Sequence, residues 1–217
     1  MDRKFTQELD RIISELLKMG QNAEDYIDDA VQALRTKDIE AAKELITRDD
    51  IIDSSLIVIE DSLVRLAGIK RMLPKDARTH LAIAKIAGDL ERIGDYATNI
   101  AEVVLLLKNE AYIKPLVHIP ELSDVALSML HTALKAFINQ DVDLADAVCR
   151  KDDQADDLLS EIEAELMELV GRGVNSNQAN QAYALITVAR HLERVADLAT
   201  NISEETIYMV TGNRVKY

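Results

Sequence analysis

The chain has 217 residues, of which only ten are glycine or proline, 4% are aromatic and 48% are hydrophobic. Too few turn formers are present for the many tight turns of a β-sandwich or barrel, or for alternating βα units with glycine-rich loops. The apolar content argues against disorder, and a formal net charge of −14 argues against nucleic acid as a partner and favours cations.

Long helices remain. Gly68 and Pro74, Pro115 and Pro120, and Gly171 and Gly173 mark breaks, as do the polar tripeptides 36–38 and 139–141. Between them the apolar period is helical, which predicts helices over 3–35, 39–67, 76–109, 121–138, 142–170 and 177–210. In the third segment Ile86, Leu90, Ile93, Ala97, Ile100, Val104 and Leu107 fall on one face. Gly88 and Gly94, inside that segment, read as points of close helix packing. The N-terminus lacks an apolar signal core and no run is long enough to span a membrane, so a cytoplasmic protein is expected. The single cysteine, Cys149, rules out an internal disulfide framework and reads as a small packing residue.

The six segments are two sets of three. Residues 91–102, ERIGDYATNIAE, align with 193–204, ERVADLATNISE, with eight of twelve positions identical. Upstream, Asp49-Asp50-Ile51-Ile52-Asp53 aligns with Asp152-Asp153-Gln154-Ala155-Asp156. The pattern is a tandem duplication of a three-helix unit, with units expected at 1–113 and 114–217. The fold class is therefore all-α, as two related three-helix bundles with antiparallel neighbours.

Four segments repeat one spacing: an acid, Asp four residues on, then Glu seven beyond. The sets are Asp49/Asp53/Glu60, Glu91/Asp95/Glu102, Asp152/Asp156/Glu163 and Glu193/Asp197/Glu204. At about 100° per residue each set is one narrow stripe, turned away from the apolar arc. In an antiparallel hairpin, residues equidistant from the turn lie side by side. Asp49 pairs with Asp95, and Asp53 with Glu91, about residue 72. Asp152 pairs with Asp197, and Asp156 with Glu193, about 174.5. Each half then gathers four carboxylates, and the outer glutamates rank second.

Such clusters repel. They are either a solvated acidic face balanced by Arg48, Arg92, Lys151 and Arg194, or a site for hard or borderline cations such as Mg²⁺, Mn²⁺, iron or zinc. His191, in the place of Asp89 in the repeat, lies off the stripe and reads as a surface residue. His80, His118 and His131 show no ligand spacing. Thr98, Asn99, Thr200 and Asn201 could support ligands or simply pack. No Glu-x-x-His pair, phosphate loop or Ser/His/Asp triad appears, which argues against an enzyme. A carboxylate-bridged metalloenzyme and a metal-free helical tether remain as alternatives.

The paired motifs at 91–102 and 193–204, the acidic segments at 49–53 and 152–156, and IYMVTGN at 207–213 resemble the PhoU family of phosphate-uptake regulators along essentially the whole chain. The resemblance implies two three-helix bundles side by side, carrying multinuclear iron, zinc or other divalent-metal clusters. It places those clusters on Asp49, Asp53, Glu91, Asp95, Asp152, Asp156, Glu193 and Asp197. It also implies a link between the ATPase of the phosphate ABC transporter and a sensor histidine kinase, repression of the phosphate-starvation response, and a homodimer that meets the membrane only through protein partners. Ala196 in place of Gly94, and His191 in place of Asp89, set the two halves apart.

Overall fold

The computed structural model describes residues 3–48, 50–108 and 111–217. Among these the chain forms eight helices and no strand: α1 (Arg3–Thr36), α2 (Ile39–Thr47), α3 (Asp50–Ala67), α4 (Pro74–Leu106), α5 (His118–Asn139), α6 (Val142–Cys149), α7 (Asp152–Gly171) and α8 (Ser176–Thr211). All six expected segments are helical. The second segment of each half, expected as one helix, is divided into α2 and α3 in the first half and α6 and α7 in the second.

The turn between the first two segments is built alike in both halves. Lys37 and Gln140 adopt left-handed backbone, φ 57° and 53°. The next residue caps the following helix: Asp38 accepts from the Glu40 and Ala41 amides, and Asp141 from the Leu144 amide. The Asp38 amide returns to the Ala33 carbonyl at 3.0 Å, and that of Asp141 to Ala136 at 2.9 Å, so orphan carbonyls at the helix end are satisfied.

No glycine or proline explains the break inside the second segment. At Arg150–Lys151 the Lys151 amide bonds back only three residues, to Val148, and Gln154 bonds to Lys151 in the same way. In the first half Ile51 bonds to the Arg48 carbonyl, which also accepts from the Tyr26 hydroxyl at 3.0 Å. The break gives the acidic stripe a fresh helix N-terminus. Asp50 and Asp53 lie in the first turn of α3, and Asp152 and Asp153 in that of α7. There the helix dipole favours negative charge by about 0.3–1 kcal/mol per group at the surface. An unbroken helix would have placed the same repelling acids in mid-helix.

The halves share one apolar core. Leu16 and Ile27 of α1, Ile83, Ile86 and Leu90 of α4, Leu130 of α5, and Leu185, Val188 and Leu192 of α8 all belong to it and are fully buried. α4 packs against both α1 and α8, and α5 against both α8 and α1. Gly20 allows α1 to approach α5, since a Cβ there would lie 2.5 Å from Leu134 Cδ1.

Gly94 serves α3 against α4 in the same way: a Cβ would lie 2.9 Å from Ile52 Cδ1. Residues 52 and 94 are equidistant from residue 73, within one residue of the register read from the sequence. The repeat exchanges this large–small pair for two alanines, the fully buried Ala155 and Ala196. Gly88 differs from the sequence expectation: nothing lies within 4 Å of a Cβ there, because the residue borders an open cleft.

The two glycines should therefore respond in opposite directions. Gly88→Ala is expected to raise the free energy of unfolding by up to about 1 kcal/mol, through helix propensity alone. Gly94→Val is expected to lower it by about 1–3 kcal/mol through overpacking against Ile52. Urea midpoints at unchanged slope measure both.

Candidate metal centre

In the second half the expected carboxylates lie within electrostatic reach of one another, but no three of them bring ligand atoms within 4.8 Å of each other. Asp152 and Asp156 come from the first turns of α7, and Glu193 and Asp197 from the middle of α8. Asp152 and Glu193 are partly buried and Asp156 and Asp197 are exposed. Burial first, and then the charges of Asp197 and Asp156, push Asp152 up to about 6. Burial, Asp197 and Asp156 push Glu193 up to about 7. Asp197 is raised by burial and by Asp156. Both cross-helix pairs read from the hairpin midpoint, Asp152 with Asp197 and Asp156 with Glu193, are thus within electrostatic reach.

The residues expected to balance these charges mostly turn elsewhere. Arg48 pairs with Glu44, Arg92 with Asp89 at 3.4 Å, and Lys151 Nζ donates to Ser128 Oγ at 3.0 Å. Arg194 does pull Glu193 and Asp197 downward, but burial and like charge outweigh it. The outer glutamates are also engaged: Glu163 accepts from Arg190 at 2.8 Å, and Glu204 from the Tyr217 amide at 2.9 Å.

Proton linkage follows from the upward shifts. Below about pH 4 both folded and unfolded chains hold these protons. Between there and the folded values of about 6 and about 7, the unfolded chain releases protons that the folded chain keeps. The quartet therefore costs stability as pH rises, and the full cost stands above about pH 7.

Two neighbours complete the site. The buried Thr200 hydroxyl approaches Asp152 and opposes its upward shift, without the geometry of a full hydrogen bond. Cys149 ends α6 beside the acids. Its Sγ lies 4.0 Å from the Thr200 carbonyl oxygen, and burial with Glu204, Asp146 and Asp152 nearby raises the thiol to about 12, so it packs rather than reacts.

In the first half Asp49 lies outside the described residues. Asp53 and Asp95 are exposed and Glu91 is partly buried, and each of the three has a hydrogen-bonding or electrostatic partner. The Ile52–Gly94 contact sets α3 against α4 at the level of these acids.

His191 is not the surface residue expected from its place on the helix. It is partly buried and stacks on Tyr96 of the other half, centroids 5.3 Å apart and planes 26° apart. Burial, aided by Arg194, lowers its pKa. Its counterpart Asp89 also turns to the seam between the halves, where burial and Glu205 raise it to about 6 despite Arg92 and Lys85. Glu205, buried, takes Lys85 at 2.5 Å and Arg214 at 2.8 Å. Together they line a cleft of about 710 Å³ between α4, α8 and the C-terminal residues. Acid and base patterns within single helices gave no sign of this network, because it joins α4 to α8, with Lys85 and Glu205 120 residues apart.

Carboxylate oxygen donors suit hard or borderline cations. The raised pKa values mark carboxylates that a positive charge would relieve. The chemistry of Asp152, Asp156, Glu193 and Asp197 fits such a cation, although their oxygens do not converge within 4.8 Å as they stand.

The family model of the PhoU domain matches the chain twice, at residues 16–104 and 119–206. The chain is 38% identical to the phosphate-specific transport system accessory protein PhoU homolog of Aquifex aeolicus, over 99% of this chain and 96% of that one. With the corresponding homolog of Clostridium acetobutylicum it shares 35% identity over 99% and 98%. The crystal structure of the phosphate transport system regulatory protein PhoU from Streptococcus pneumoniae superimposes with a TM-score of 0.91 at 29% identity, covering 98% of this chain and all of that one. Two family domains in tandem, full-length relatives and a matching fold agree: the chain belongs to the PhoU family of phosphate transport accessory proteins.

Proposed function

We propose that this chain is a metal-binding regulator of phosphate uptake that acts by contact rather than by catalysis. In this reading it couples the ATPase of a high-affinity phosphate ABC transporter to a sensor histidine kinase at the cytoplasmic face of the membrane. It keeps the kinase quiet, and the starvation response repressed, when phosphate is plentiful. It works as a homodimer. The regulatory part rests on the family and on its relatives, a phosphate-specific transport system accessory protein and a phosphate transport system regulatory protein among them. No helix among the described residues is long and apolar enough to cross a membrane, in keeping with attachment through partners.

The metal part rests on the quartet Asp152, Asp156, Glu193 and Asp197. Burial and the mutual repulsion of its carboxylates raise Asp152 to about 6 and Glu193 to about 7, which supports this reading. In the first half Asp49, Asp53, Glu91 and Asp95 are the equivalent set. Bound iron, zinc, manganese or magnesium would supply a positive charge on each hairpin, and the chain's own part is to present carboxylates that give up their protons as the cation binds. The relief of repulsion would stiffen the α7–α8 and α3–α4 hairpins.

Metal and protons must compete for these oxygens. Mn²⁺ titrated into metal-free protein is expected to bind progressively more weakly as pH falls from about 8 to about 5, with proton release on binding. Asp152→Asn with Glu193→Gln should remove the second-half share of that binding and flatten the fall of the melting temperature between about pH 5 and about pH 8. Elemental analysis of untagged protein, purified without chelator, checks native loading. Absence of stoichiometric metal, together with wild-type melting behaviour in the double variant, overturns the metal reading.

For the regulatory role, deletion of the gene should switch on phosphate-starvation genes in high phosphate. Return of the wild-type gene should restore repression, whereas alleles neutralised in both quartets should not. Unchanged reporter expression on deletion overturns the regulatory reading.

A further inference from the structure

A second group of ligand-type side chains lies further along α7. Glu161 and Glu165 are one helical turn apart and so share a face. His118, the first residue of α5, stands over them. Its Nδ1 is 3.2 Å from Glu165 Oε2, and its Nε2 is 3.8 Å from Glu161 Oε1. One ligand atom from each of the three residues lies within 4.8 Å of the other two. Lys114, in the segment leading into α5, caps the same oxygen of Glu165.

We propose that His118, Glu161 and Glu165 form a site for a borderline divalent transition metal, Zn²⁺ being the best match, distinct from the all-oxygen quartets. The imidazole nitrogen sets the selectivity. Mg²⁺ and Ca²⁺ prefer oxygen, while one nitrogen with two carboxylates suits zinc and leaves a position for water. His118 side-chain exposure is 22%, Glu165 36% and Glu161 56%, so the site is anchored on its inner side and open on its outer side.

Lys114 is the built-in competitor. Without metal its ammonium neutralises Glu165. An arriving cation takes over the carboxylate and releases the lysine. Because Lys114 and His118 flank the start of α5, the ion ties the segment between the halves to α7.

The test uses the full chain, freed of metal and labelled with ¹⁵N-histidine, titrated with ZnCl₂. Four histidines are present, and neither quartet holds one, so ring nitrogen signals are blind to zinc bound there. The ring resonances of His118 should move to a metal-bound position while those of His80, His131 and His191 stay in place. Glu161→Gln and Glu165→Gln, each checked for native circular dichroism, should weaken this binding by about tenfold or more. Lys114→Gln should tighten it. An unmoved His118 ring in millimolar Zn²⁺ overturns the proposal, as does a shift that keeps its affinity in both glutamine variants. Zinc bound at the quartets alone gives the first of these results, so the two metal readings fail separately.

Discussion

Everything at the acidic seam depends on apolar packing overriding like-charge repulsion. The α7–α8 hairpin is closed by Ala155, Leu158, Ile162 and Leu166 on one helix and by Leu185, Val188, Leu192 and Ala196 on the other, all buried. Each such side chain contributes on the order of 1–3 kcal/mol when fully buried, whereas partly exposed like charges at i,i+4 cost a few tenths. The core therefore dictates where the helices sit, and the carboxylates accept the resulting spacing by holding on to protons.

The duplication shows how the same constraint is met twice with different residues. At equivalent positions the first half has Ile52 against Gly94 and the second has Ala155 and Ala196. Close approach needs a limited total volume between the helices, and either a large and a missing side chain or two small ones supply it. The acids flanking those positions keep their residue types, while the packing residues between them change together. A single exchange on one helix would leave either a clash or a void.

The sequence was most informative where geometry follows from spacing along one hairpin. Helical period, hairpin midpoint and repeat offset were enough to bring Asp152 to Asp197 and Asp156 to Glu193, and the capped turns at Asp38 and Asp141 were visible as polar tripeptides. The breaks at Arg48 and at Arg150–Lys151 were not legible, because neither carries proline or glycine. They arise where backbone bonding shortens to i−3 just ahead of the clustered acids. Contacts between the halves were also hidden. His191 looks exposed on its own helix, but Tyr96 of the other half covers it. His118 has no ligand spacing because its carboxylate neighbours are 43 and 47 residues away.

The shared core bears on how such a chain can transmit a state. With α4 packed on α1 and α8, and α5 on α8 and α1, the apolar contacts across the midline are continuous with those inside each half. Neither half can then shift as a rigid body without opening buried surface, and large domain rotation is disfavoured. What can change at low cost lies at the surface: the protonation of the α7–α8 quartet, the C-terminal residues that reach Glu204 and Glu205, and the segment around Lys114 and His118. Each is an electrostatic contact between a charged side chain and a helix that the core holds still. A ligand or partner that alters one of these contacts changes the charge pattern of a fixed surface, and a second protein docked on that surface senses the difference through complementarity rather than through a moving domain.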